Sequence, residues 1–148
     1  MSPKTAAAIL RAHVAISFVA FGVLWAAGAI EGFGDPARLS LDVLKWPIDG
    51  DPGPLTPTTR FVSAIGGGIL VGLGVLNLML VAPGIEAGDR RVRKAALASI
   101  FSWFAIDSAG SIASGAASNA FFNVLVLALY AIPILLVRFP QDAQRGAT

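Results

Sequence analysis

The sequence predicts an all-α, polytopic membrane four-helix bundle, and three observations carry that expectation. Of the 148 residues, 55% are hydrophobic and only 14% charged, with a mean hydropathy of +0.73. An average soluble domain carries about 25% charged residues, so roughly half the charge needed to dress a water-facing surface is missing. Uncharged or nearly uncharged runs cover most of the chain, and crossing a bilayer core takes roughly 20 helical residues. Finally, the Lys and Arg residues gather in the segments that link these runs. The composition excludes a cytosolic globule and a disordered tail. With a net charge of +2 and no basic aromatic groove, it also excludes a nucleic-acid binder. The absence of cysteine removes disulfides, thiolate metal sites and Cys nucleophiles. The length suits one transmembrane domain over 1–148.

The first run, Ala12 to Ile30, has 19 residues without a full charge, between Arg11 and Glu31, and predicts a span over about 12–31. It ends in Ala27-Gly28-Ala29, which resembles a signal-peptide cleavage site. The run is longer than most such cores, so a retained span is expected. His13 stands at its mouth with Ser17 one turn on. A lone His there is either a hydrogen-bonded boundary residue, the preferred expectation, or a proton relay. Haem is not expected, because no other His exists and Met1 and Met79 are the only methionines.

The loop 31–60 is the longest stretch outside the spans, and loops of that length carry structure or function. Leu39, Val43 and Trp46 fall at helical spacing opposite Arg38, Asp42 and Lys45, which predicts a short amphipathic helix at the membrane surface. Pro47, Asp49-Gly50, Pro52, Pro54 and Pro57 then force turns. Two roles are open to this segment, a rigid connector and a lid over an externally open cavity.

The second run, Phe61 to Ala82, predicts a span over about 59–82, capped by Thr58 or Thr59. Ala64, Gly68 and Gly72 form one stripe of small residues, and Ser63, Gly67 and Gly74 a second. Helices in lipid associate where small residues let backbones approach, so both stripes are expected to serve helix packing, within the bundle or between protomers. No Gly-Lys-Ser/Thr follows, so this is no phosphate loop.

Ala95 to Val137 is a run of 43 residues interrupted only by Asp107, too long for one span and right for two. The break is expected near Ser114–Ser118, giving spans over about 94–114 and 118–138, with Pro133 kinking or ending the last. Eight Lys and Arg lie on the side of the termini and of the link at Arg90–Lys94; three lie on the other side. By that bias both termini are expected to be cytoplasmic.

Asp107 is the most informative residue. A carboxylate inside a span costs about 2.5–3.5 kcal/mol on insertion scales, so it should face protein or water. Trp103, Asp107, Ser111 and Ser114 share one stripe, and Asn119 and Asn123 lie four apart on the next span. A tight link makes these spans antiparallel neighbours, so the Asn amides can reach Asp107. The cluster reads either as a clasp for the hairpin or as a site for a proton, cation or polar ligand. Asn77 and Tyr130 lie in the inner halves of the second and fourth spans, placed to hydrogen-bond across helices. No Ser-His-Asp set, carboxylate pair or metal-ligand spacing occurs, so neither an enzyme nor a metal site is expected.

Arg60 with the Ala64–Gly68 glycine run and the basic link at Arg90, Arg91 and Arg93 resembles small DoxX-like four-helix bacterial membrane proteins. The segments Trp46-Pro47-Ile48-Asp49-Gly50 and Asp107-Ser-Ala-Gly-Ser111 also look like parts of uncharacterised bacterial membrane proteins. The resemblance covers spans two to four and implies the fold, a multi-pass protein of the bacterial inner membrane; it carries over no catalytic or binding residue. The expected role is non-enzymatic: binding or moving a small ligand, proton or cation at Asp107, Ser111, Ser114, Asn119 and Asn123. The alternative is a structural or assembly subunit of a larger membrane complex. Besides the lipid bilayer, a homo-oligomer or complex partner is expected, because four short spans make a thin wall.

Overall fold

The computed structural model describes residues 1–139 as five helices and no strand; Arg145, counted above in the tail, lies outside them. The helices are α1 (Pro3–Ala27), α2 (Asp35–Leu44), α3 (Pro57–Glu86), α4 (Arg90–Ala113) and α5 (Ala117–Leu136). All but α2 are long and apolar enough to cross a membrane, so this is a helical membrane protein.

Local chemistry moves the helix ends away from the hydropathy boundaries. α1 begins at Pro3, well before residue 12, because Ser2 accepts a hydrogen bond from the Thr5 N–H and proline fills the first turn. Lys4 and Arg11 therefore lie inside the helix, and Arg11 pairs with Glu86 across to α3 at 2.6 Å. α3 is capped by Thr56, which accepts from the Thr59 N–H, and not by Thr58 or Thr59. Pro57 has no N–H to satisfy and takes the first helical position, so the cap falls one residue earlier. α4 starts at Arg90, where the Asp89 carboxylate accepts from the N–H groups of Arg91 and Val92. Its end is a Schellman turn: Gly115 at φ +81°, with the Ala116 N–H on Ser111 O and the Gly115 N–H on Ile112 O. Pro133 does not end α5, which runs on to Leu136.

Two helix pairs result. In the first, α1 and α3 meet backbone to backbone. A Cβ on Gly67 would lie 2.4 Å from Gly22 O and 2.5 Å from Ala26 N, and one on Gly74 would lie 2.6 Å from Val19. Ser63 is fully buried in the same seam. The other stripe of small residues does not pack within the chain. Ala64, Gly68 and Gly72 are exposed, and Cβ atoms on the two glycines would meet nothing within 4 Å. One residue along a helix turns the face by about 100°, so only one of two adjacent stripes can lie against α1. In the second pair, the three-residue turn folds α5 back along α4.

The pairs are joined at the end that carries the chain termini. Leu10, Val14 and Phe18 of α1, Ala82 and Ile85 of α3, Ala96 and Ile100 of α4, and Tyr130 and Ile134 of α5 form one buried cluster. The Met1 ammonium donates to Leu136 O, and the Arg138 N–H donates to Met1 O. Toward the opposite end this packing stops. α1 passes through a π-helical turn just past its middle, over Ala15–Ala20, and α3 through one in its last third, over Asn77–Val81.

α2 bridges the two pairs at the opposite end. Ala37 packs against Gly28, the residue that ends α1, where an added Cβ would approach to 2.7 Å. At its other end, Ser118 of α5 donates to Leu44 O at 2.6 Å and accepts from the Trp46 N–H. The expected polar face is thereby broken. Asp42 is buried, because its carboxylate accepts from the N–H groups of Asp49 and Gly50 and so holds the following turn. Leu39, Val43 and Trp46 remain exposed on the outer surface, the arrangement of a helix whose apolar side meets the headgroup region.

The Gly67 seam makes a direct prediction. Gly67→Ala places a methyl group against backbone atoms that cannot move independently, and should cost about 1–3 kcal/mol. Gly68→Ala, facing open space, should be neutral or stabilising by up to about 1 kcal/mol. Thermal unfolding of both variants in detergent measures the difference.

Candidate functional site

Asp107 lies six residues from the end of α4, about 9 Å below it at the rise of an α-helix. Asn119 and Asn123 occupy the first two turns of α5, and the short turn brings them level with Asp107. Both amides converge on one carboxylate oxygen. Asn123 Nδ2 donates to Asp107 Oδ2 at 2.6 Å and to Ser108 Oγ at 3.1 Å. Asn119 Nδ2 donates to the same Oδ2 at 3.1 Å and to Ser111 Oγ at 2.8 Å. An amide nitrogen has two hydrogens, so each asparagine is fully engaged as a donor. Asp107 Oδ1 takes part in none of these bonds.

Of the residues expected at the site, Asp107, Ser111, Asn119 and Asn123 are together, joined by Ser108. Ser114 is not among them. It caps the end of α4, where its exposed hydroxyl donates to Ser111 O at 3.1 Å. The serine stripe continues past the helix end in sequence, but the Schellman turn redirects the chain before Ser114 can face α5.

Asp107 opens onto a cavity of about 800 Å³ between the two helix pairs. The α1–α3 pair contributes Phe18, Phe21, Trp25, Ile69 and Leu70 to its wall; Trp103, Asn119, Phe122 and Asn123 face them from α4 and α5. Leu44, at the end of α2, closes part of the outer mouth. Phe21 and Trp25 are stacked, with centroids 6.4 Å apart and planes inclined by 15°. The Trp25 indole lies over Gly66, where a Cβ would come within 3.2 Å of its nitrogen. Ile16 and Ile69 border the cavity and are 69% and 58% exposed, so its sides open at the depth of the hydrocarbon.

The remaining polar residues form a second cluster nearer the termini. Tyr130 donates its hydroxyl to Asn77 Oδ1, and Asn77 Nδ2 donates to Leu73 O at 2.8 Å. His13 is buried, with Nδ1 3.2 Å from Ser17 Oγ, its ring edge-on to Phe18 and Tyr130, and Nε2 without a partner. Ser17 also borders the large cavity. Phe18, Leu70, Leu73 and Trp103 border both that cavity and a small one of about 30 Å³ beside Asn77 and Tyr130, and so separate the two polar regions. Among the described residues no group of three His, Asp or Glu is placed to hold a metal ion.

The aromatic wall and the π turns were not anticipated. Phe21 and Trp25 stand four apart, a spacing that places them on one helix face, but nothing in a hydrophobic run distinguishes a cavity wall from a lipid-facing stripe.

Removing Asn123 tests the clasp. Asn123→Ala deletes two of the four bonds at a buried position, and hydrogen bonds between membrane helices average about 0.6 kcal/mol with a maximum near 1.7. The variant should be destabilised by about 1–3 kcal/mol and Ser114→Ala by less than about 0.5 kcal/mol, read from thermal unfolding in detergent. No protein-family model, no curated protein and no solved structure matches this chain.

Proposed function

We propose that this protein is a non-enzymatic membrane protein that binds or moves a small amphiphilic ligand in the cavity, with Asp107 as the polar anchor. The observation that carries this reading is that Asp107, held in the clasp through Oδ2, lines the wall of an otherwise largely apolar cavity. A carboxylate needed only to clasp two helices has no reason to face a volume of about 800 Å³. Ligand pockets fall between roughly 300 and 1,000 Å³ and combine apolar walls with a few placed polar groups. In this role Asn119, Asn123 and Ser111 hold Asp107 in place while the ligand's apolar body displaces solvent or lipid from the walls. α2 is the lid, tied to α5 through Ser118 and able to gate the outer mouth.

The topology that fits is a multi-pass protein of the bacterial inner membrane, with both termini cytoplasmic and the cavity mouth outside. The eight-to-three distribution of Lys and Arg supports it. The chain has no native cysteine, so single cysteines at Ser2 and Asp51 report sidedness directly. The Asp51 thiol should react with a membrane-impermeant maleimide in intact cells, and the Ser2 thiol only after lysis.

A second reading, a structural or assembly subunit, is favoured by one observation. The Ala64, Gly68 and Gly72 stripe is exposed on α3, as a surface for a second copy or a partner helix would be. Native mass spectrometry from a mild detergent separates the two. A stoichiometric small-molecule mass, lost in Asp107→Ala and retained in Gly68→Leu, is the expected result. Loss of a polypeptide partner in Gly68→Leu, with Asp107→Asn unaffected in activity, would replace the ligand reading by the docking one.

A further inference from the structure

We infer that the ligand of the Asp107 cavity is a hydrophobic organic cation; this rests on the cavity being a ligand site and names its chemical class. Charge is the first argument. Among the described residues Asp107 is the sole ionisable side chain on the cavity wall. α1 adds Ser17, Phe21 and Trp25 to that wall, α3 adds Ile69 and Leu70, and α5 adds Asn119, Phe122, Asn123 and Val126, none of them charged. Toward the buried core, His13 and Tyr130 touch the cavity wall from behind, His13 through Ser17 and Phe18 and Tyr130 through Phe18.

Three arginines elsewhere in the bundle have other partners. Arg11 pairs with Glu86, Arg38 with Asp35 and Gly53 O, and Arg60 donates to Leu55 O. A carboxylate in an apolar site without a counter-ion is completed by a positive charge or by a proton, and an anion is rejected.

The walls decide which kind of cation. A hard inorganic ion such as Mg²⁺ or Ca²⁺ needs about six or more oxygen ligands at close range, and the only oxygen-bearing side chains on the described wall are Asp107, Asn119, Asn123 and Ser17. Its volume of about 800 Å³ far exceeds an ion and matches a bulky organic molecule. Phe18, Phe21, Trp25, Trp103 and Phe122 ring the space, and aromatic faces attract a diffuse positive charge within about 6 Å of their centres. Trp103 lies one turn from Asp107 on the same helix, so a charge seated at the carboxylate is also beside an indole.

A matched pair of probes tests the inference on the full chain in nanodiscs of zwitterionic lipid. The probes are tetraphenylphosphonium and the neutral triphenylphosphine oxide, followed by equilibrium dialysis. The expected result is one phosphonium per protomer, held at least tenfold tighter than the oxide. The preference should disappear in Asp107→Asn and fall about two- to thirtyfold in Trp25→Leu. If Asp107→Asn does not fold, the wild-type comparison and Trp25→Leu still decide.

Equal binding of the oxide overturns the cation assignment and leaves the cavity as a ligand site. Binding of neither probe overturns it too, and a native mass spectrum without any bound small molecule then removes the ligand-site reading as well.

Discussion

A carboxylate placed within a membrane span has to face polar groups and not lipid, and the α4–α5 half of this protein is arranged around that demand. Two asparagines one turn apart on α5 meet Asp107 and its neighbouring serines one to one, so the register between the helices is set by four specific bonds. Leu, Ile and Val side chains allow sliding between apolar helices in lipid, because every register buries similar carbon. The amide pair permits one. That the clasp uses a single carboxylate oxygen is what makes the same residue available to the cavity.

The other half is held by a different force. α1 and α3 touch through backbone at Gly22 and Gly67, and dispersion across that contact needs no polar group. A glycine seam is rigid and thin, and it brings the two helices together along the half of their length where α4 and α5 are held apart from them. The cavity follows from this arrangement. Each pair is internally satisfied at the outer end, so neither has an enthalpic reason to close on the other, and the apolar core joins them only near the termini. The π turns in α1 and α3 lie near the level where the packed core gives way to the cavity. Such turns recur at functional sites because the widened ladder re-aims side chains.

α2 makes the outer end a distinct structural unit. It spans both pairs but holds α5 through a serine hydroxyl and α1 through a small-residue contact, both weaker than the seams beneath it. A strap attached this way can release one end without disturbing the bundle, which is the property a cover over a binding cavity needs. At the opposite end, the Arg11–Glu86 pair and the exchanged bonds of Met1 tie α1 to α3 and to the end of α5.

Much of this was legible in the residues themselves. Four spans, the break between Ala113 and Ala117, a short helix within the 31–60 loop and the meeting of Asp107 with Asn119 and Asn123 follow from hydropathy, turn chemistry and a spacing of four, which are local properties of a helix. Helix ends were less legible, because Ser2, Thr56 and Asp89 place the starts by hydrogen bonding and hydropathy does not register a cap. Choices between equivalent faces lay wholly in the tertiary structure. Ser63, Gly67 and Gly74 were packed and Ala64, Gly68 and Gly72 left open, Asp42 was turned inward, and Phe21 with Trp25 became a cavity wall. Each of those outcomes depends on which neighbour a face meets. A one-dimensional pattern specifies the faces of a helix but not their partners, since in lipid an apolar face is satisfied equally by a helix, by a cavity's contents or by the bilayer.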